Sequence, residues 1–327
     1  MAHAVMESSS AKSRSNIYET ITAKILAAIE SNPGDTVLPW QRGGFNPTLP
    51  INATTQAAYR GINILSLWVS ALERGYESGE WATLKQWNAI GAHVRKGERA
   101  SPIVFYREFE ARPGPRSGIG NDAAKSGNGA GDSSDGDTEL RRMARGYWVF
   151  AAEQVDGYTP ATALPPNPIQ RIAAAEAYFD ATGAKVIVGG SQACYRPSTD
   201  TIHMPDEARF LGKDGRTRTD AWYRVLSHET AHYTSAPSRC NRQLGKRFGD
   251  DQYAMEECIA ETAACFICAR LGISGEPHPD HARYIHHWIK VMQADARAIF
   301  AAAAKAQEAV AYLDSLQPSA AAQQRAA

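Results

Sequence analysis

The chain has little of what marks several large protein classes. No stretch of its 327 residues approaches the ~20 consecutive apolar residues of a membrane-spanning helix. The segment Met1 to Ser15 lacks the apolar core of a signal peptide and reads as a loose polar tail. Cysteines are few and odd in number: Cys194, Cys240, Cys258, Cys265 and Cys268. That excludes the disulfide framework of a small secreted protein. Net charge is missing too. The 35 basic side chains balance 35 acidic ones, so a nucleic acid would have to be held by a local patch. What remains is an ordinary globular composition, 43% hydrophobic and 21% charged, long enough for two domains of ~100–200 residues each. The expectation is a soluble, cytoplasmic protein with no membrane partner.

Periodicity divides the chain. Ile17, Ile21, Ile25 and Ile29 recur every four residues and predict an amphipathic helix, which Asn32-Pro33-Gly34 stops. Helices are also predicted from about Asn63 to Arg74 and from near Thr83. Two aromatic and β-branched runs, Pro102–Glu110 and Tyr147–Val155, read as strands of a hairpin. Between them, Arg112–Arg142 is rich in Gly, Ser and Asp and reads as a disordered insertion, since structureless loops beyond ~12–15 residues are linkers or lids. Pro160, Pro165, Pro166 and Pro168 mark a domain boundary. Beyond it come a helix at Ile169–Thr182 and strands at Lys185–Val188, Ala193–Arg196 and Thr201–Met204. Helices follow at Asp220–Tyr233 and at Asp251–Leu271, which Gly272 ends, and then a last helical stretch at Asp280–Leu316.

The expected organisation is a tail over 1–15, a first domain over 16–158 with its insertion at 112–142, a second domain over 159–316, and a frayed end over 317–327. The expected fold class is α+β. It combines an N-terminal α+β domain with a C-terminal, mostly helical domain that carries a small antiparallel sheet.

His228-Glu229-Thr230-Ala231-His232 is the sharpest motif. Residues i and i+4 of a helix share a face, so both imidazoles can reach one ion while Glu229 beside them takes a proton from water. Thr219-Asp220 can cap the helix start, and Ala221, Trp222, Val225 and Leu226 give it an apolar docking surface. A catalytic zinc site needs a third protein ligand. The helix Asp251–Leu271 offers Glu256, Glu257 and Glu261. Glu257 and Glu261 are again i and i+4, among apolar neighbours where a carboxylate needs a partner.

This segment resembles the glutamate helix of gluzincins. The resemblance assigns the third metal ligand to Glu257 and the carboxylate that orients a ligating histidine to Glu261, with Glu256 as runner-up ligand. One Zn2+ is the expected cofactor and another divalent ion the alternative; His, His and Glu donors favour zinc. Glu229 is then the catalytic general base, which passes its proton to a leaving amine. Tyr223, Tyr233 and Tyr253 are equal candidates for an oxyanion donor. The strand Thr201–Met204 is a candidate edge for pairing with an extended peptide. A rival set, Cys265, Cys268, His281 and His286, fits the bare spacing of a zinc finger. Its cysteines fall in an alanine-rich helical run, however, where a finger needs a β-hairpin.

In the first domain, aromatic and basic residues interleave: Tyr59, Arg60, Trp68, Trp81, Lys85, Trp87, Arg95, Lys96 and Arg99. Stacking surfaces along a basic groove are what hold single-stranded nucleic acid without base readout. Aromatics also make cores, so composition alone leaves both uses open.

Several ordered stretches carry a wider resemblance. They are Tyr59-Arg60-Gly61-Ile62-Asn63, Trp81-Ala82-Thr83-Leu84-Lys85-Gln86 and Val94-Arg95-Lys96-Gly97-Glu98, then Trp222 to Tyr233, Pro237-Ser238-Arg239, Tyr253 to Leu271 and Ala282-Arg283-Tyr284-Ile285. Together they resemble ArdC-type antirestriction proteins of conjugative plasmids, over roughly residues 16–110 and 145–315. The first domain is similar to the family's single-stranded-DNA-binding domain, and to a segment of some plasmid primases. The second is similar to its zincin-like metallopeptidase domain. The resemblance implies Tyr59, Arg60, Asn63, Trp81, Lys85, Gln86, Arg95 and Lys96 as DNA-binding residues. It implies a protein that binds single-stranded DNA and protects incoming plasmid DNA from host restriction during conjugation. The alternative is an active zinc peptidase that cleaves a DNA-associated, restriction-related host protein, with DNA binding as its targeting device.

Overall fold

The computed structural model describes residues 16–31, 38–41, 48–111, 139–160, 168–210, 219–242, 251–273 and 282–318. The isoleucine stripe forms α1 (Ile17–Glu30), which buries Ile21, Ile25 and Ile29 and is capped by Asn16, whose side chain accepts from the Tyr18 N–H. β1 (Ile51–Asn52) leads to α2 (Ile62–Arg74). β2 (Glu80–Ala82) and α3 (Leu84–Ala89) are joined through a capping box, in which Thr83 Oγ1 accepts from the Gln86 N–H and Gln86 Oε1 accepts from the Thr83 N–H. β3 (His93–Val94), β4 (Ser101–Ala111), β5 (Glu139–Ala151) and β6 (Val155–Asp156) complete the N-terminal half. One sheet has the order β1-β2-β5-β4, and β3 pairs with β6.

β4 and β5 make the expected hairpin, with eleven paired positions from Ser101↔Val149 to Ala111↔Glu139. β5 therefore begins inside the segment expected to lack structure, because the ladder keeps pairing after the aromatic run has ended. The rest of that expected insertion, 112–138, lies outside the described residues, as do the expected tail at 1–15 and residues 319–327 of the frayed end expected over 317–327.

The C-terminal half contains α4 (Pro168–Ala181), β7 (Lys185–Val188), β8 (Cys194–Arg196), β9 (Thr201–Met204), α5 (Asp220–Tyr233), α6 (Asp251–Leu271), α7 (Ala282–Ala294) and α8 (Ala298–Ser315). The last expected helical stretch is broken between α7 and α8, where Asp295 Oδ1 accepts from the Arg297 N–H at 2.8 Å and turns the chain. Gly272 ends α6 with a left-handed φ of +65°, as its position suggests. The sheet order is β7-β9-β8, with β9 parallel to β7 and antiparallel to β8, so the sheet is mixed and not purely antiparallel. β9 is paired on both sides. It cannot be the free edge expected at Thr201–Met204; β7 and β8 hold the edges.

The two halves share a core. Trp68 on α2 meets Phe266 on α6 edge-on at 5.8 Å between centroids, and Tyr18 on α1 lies 4.6 Å from Phe300 on α8. Thr22 Oγ1 donates to Ala296 O at 2.7 Å. The N–H of Gly61, at φ +54°, donates to Gln307 Oε1 on α8 at 3.1 Å. One buried cluster runs from Ile21 through α2, α5 and α6 to Leu313. Among the described residues no helix is long and apolar enough to cross a membrane.

Candidate functional site

Two helix stripes build the site. Positions i, i+4 and i+8 of α5 are Arg224, His228 and His232, and those of α6 are Glu257, Glu261 and Cys265. Arg224 reaches Glu261 and Cys265, whereas His232 reaches Glu256 and Glu257, so the helices run antiparallel and the stripes meet in order. His228 Nδ1 lies 3.0 Å from Glu261 Oε2, and the other oxygen of Glu261 accepts from Arg224 Nη2. His232 Nδ1 lies 3.3 Å from Glu256 Oε1, and Arg242 donates to both Glu256 oxygens at 2.8 and 3.0 Å. Each histidine thus has the same support, a carboxylate held in turn by an arginine.

That support decides what the other ring nitrogens face. With each Nδ1–H committed to a carboxylate, the neutral form of each ring presents a lone pair at Nε2. The two Nε2 atoms are 3.1 Å apart, and Glu257 oxygens lie 3.4 Å from His228 Nε2 and 3.5 Å from His232 Nε2. Three converging acceptors suit a positive charge, either a proton on an imidazole or a metal ion. Their spacing also fits a metal ion: metal–ligand bonds of ~2.0–2.1 Å in tetrahedral geometry place ligand atoms about 3.3 Å apart. Among the described residues, His228, His232 and Glu257 form the group of histidine, cysteine and acidic side chains that could hold a metal ion.

The charges agree with this. Burial disfavours the imidazolium of His232, but the carboxylates of Glu256 and Glu257 outweigh it and push the pKa up to about 9. Burial works against His228 in the same way, and Glu257 and Glu261 hold it well above the usual histidine range. Burial alone would raise Glu257, yet the two imidazoles hold it well below the usual carboxylate range. The carboxylates thus favour positive charge at the centre of the site, which in the metal-free protein is carried by the imidazoles. Glu229, one residue past His228, is buried beside it.

The other residues expected at the site fall as follows. Glu256, the runner-up ligand, faces Nδ1 of His232 and Arg242, and takes the supporting role that Glu261 plays for His228. Tyr223 is buried and stacks on Phe179. The Tyr233 ring lies under the Arg239 guanidinium, 3.6 Å from its centroid, and Tyr253 is half-buried near the start of α6. Cys265 and Cys268 are buried on α6, against Arg224 and Ser227 respectively, and burial pushes the Cys265 thiol up to about 11. They have helical geometry and arginine or hydroxyl neighbours, which does not make half of a zinc finger. His281 lies outside the described residues, as does the side chain of His286.

Sequence reasoning missed Arg224 and Arg242. Arg224 carried a signal, being i−4 from His228 on the same helix. Arg242 carried none, because it returns to α6 from the loop after α5, where it also donates to Ala231 O and Thr234 Oγ1.

The residues expected to touch DNA divide into two groups. Arg60, Lys85, Arg95 and Lys96 are exposed. Arg95 is nevertheless tied to backbone carbonyls of Glu153 and Val155 and to Glu98. Trp81 is 1% exposed, so its ring packs core and offers no face to a base. The Tyr59 hydroxyl donates to Trp81 O, Gln86 caps α3, and Asn63 pairs with both the N–H and the C=O of Val104. These four hold the fold together.

Comparison with known proteins defines the class first. Residues 15–150 match the N-terminal domain of the anti-restriction factor ArdC, and residues 173–305 match a zincin-like metallopeptidase domain. The crystal structure of the antirestriction ArdC protein from plasmid R388, metal-free, is similar at a TM-score of 0.69 and 32% identity, over 92% of this chain and 97% of that one. Its Mn(II)-bound structure is similar at a TM-score of 0.68 and 31% identity, over 93% and 99%. The uncharacterized protein y4eC of Sinorhizobium fredii is 44% identical over 90% of both chains. DNA primase TraC of Escherichia coli is 33% identical over 89% of this chain, which spans only 26% of the primase. The chain belongs to the ArdC antirestriction family.

Proposed function

We propose that this protein binds single-stranded DNA and shields incoming plasmid DNA from host restriction during conjugation, and that it carries a zinc metallopeptidase-like site. The observation that carries the second part is the convergence of His228 Nε2, His232 Nε2 and a Glu257 carboxylate within 3.1–3.5 Å of one another. Family membership and the exposed Arg60, Lys85 and Lys96 of the N-terminal half support the first part. Binding of this kind needs phosphate contacts and stacking surfaces but no base-specific donors.

In this assignment His228, His232 and Glu257 hold one zinc ion. A zinc ion there supplies Lewis acidity toward a carbonyl and lowers the pKa of water to about 7. Glu261 and Glu256 hold the two imidazoles in the tautomer that leaves Nε2 free to bind. Burial works against the Glu256 carboxylate, but His232 and Arg242 hold it below the usual carboxylate range, and Arg224 donates to Glu261. Glu229 accepts a proton from the attacking water and delivers it to the leaving amine.

The buried Glu229 beside a complete donor set favours a second reading, that of an active peptidase which cleaves a restriction-related host protein on DNA. One comparison separates the two. Glu229→Ala and wild type are matched for oligonucleotide binding and metal content, then compared in a restriction-protection assay. Undiminished protection by the variant is the expected outcome where binding does the work. Loss of protection with DNA and metal still held assigns the function to hydrolysis.

A further inference from the structure

The hairpin of β4 and β5 carries rings left open among the described residues: Phe105 and Tyr147 are 58% and 37% exposed. The register sets Phe105 opposite Arg145 and Tyr147 opposite Ile103, so Phe105, Tyr147 and Arg145 share one face. The two rings meet edge-on with centroids 6.1 Å apart, and the Arg145 guanidinium lies 5.6 Å from the Tyr147 centroid. Toward the body of the protein the same face is filled, since Ile103 and Val149 pack with Leu67 and Trp81.

We propose that Phe105, Tyr147 and Arg145 form a stacking platform for the bases of single-stranded nucleic acid. The proposal rests on the DNA-binding reading given above and names the surface that performs it. Adjacent aromatic rings with a guanidinium beside them match what unpaired bases and their phosphates need. Residues 101–106 and 144–151 contain one basic and no acidic side chain, so nothing on this part of the hairpin repels a phosphate. The tryptophan that the sequence offers for stacking, Trp81, is in the core; the rings of the hairpin face are open.

The test is fluorescence anisotropy of the full chain with a labelled oligothymidylate. At low salt, Phe105→Ala and Tyr147→Ala each weaken binding about 5-fold or more, the lower range for one lost base stack. Phe105→Tyr and Tyr147→Phe retain it, and Val188→Ala, exposed on β7, leaves it unchanged. Arg145→Ala flattens the salt dependence, whereas the aromatic variants keep the wild-type slope. A Phe105→Ala/Tyr147→Ala double variant that binds like wild type overturns the platform and leaves DNA binding intact. Wild type that fails to bind overturns the reading beneath it. Ultraviolet crosslinking of wild type to a bromouracil oligonucleotide needs no variant: adducts on Phe105 or Tyr147 support the platform, and adducts only elsewhere overturn it.

Discussion

At the scale of single residues, the site depends on side chains that never reach its centre. Glu256 is buried between His232 and Arg242, so removing the arginine leaves a buried carboxylate with half its support. Arg242→Met is expected to weaken zinc binding about 10–100-fold, the usual range for a lost supporting partner. A competition titration against a chelator measures this, and an unchanged affinity would remove Arg242 from the site. Protonation gives a second prediction. With its pKa raised to about 9, His232 contributes stability to the metal-free protein that is full below its unfolded value of 6.5 and is lost as pH rises through 9. A metal ion must displace that proton. The rise in melting temperature on adding zinc should therefore grow between about pH 6 and pH 8. An equal rise at both would contradict the protonation scheme.

At the scale of elements, legibility followed how local the cause was. The pairing of His228 with His232 and of Glu257 with Glu261 could be read directly, because i, i+4 spacing fixes a shared helix face before any tertiary contact forms. The bounds of α5 and α6 were legible for the same reason. Strands β1, β2, β3 and β6, of two or three residues each, are too short to show an alternation, and they went unread. Asn63, expected at the DNA surface, also has a structural role that its sequence position does not reveal. Its side chain bonds the N–H and C=O of Val104 at 2.8 and 2.9 Å and fastens α2 to β4. Asn63→Ala should cost about 1–3 kcal/mol of stability, the range for stranded backbone groups, with oligonucleotide affinity unchanged in the folded protein. Chemical denaturation and anisotropy measure the two; a large loss of affinity at unchanged stability would restore Asn63 to the DNA surface.

At the scale of the whole molecule, the composition described a neutral protein with room for two domains, and burial then sorted its residues. Trp81 and Trp87 are core, Phe105 and Tyr147 are surface, and nothing in the bare residue types separates them. The Pro-rich boundary between the expected domains does not divide the core, because Trp68 and Phe266 come from opposite sides of it. The candidate centre on α5 and α6 is thus backed by the core that also carries the N-terminal half. The most direct test of the account is the metal content of purified protein, by elemental mass spectrometry, for wild type, His232→Ala and Glu257→Gln after equilibration with zinc. One equivalent in wild type and a large loss in both variants is the predicted result. Equal zinc in all three would contradict the assignment of His228, His232 and Glu257 as the ligands.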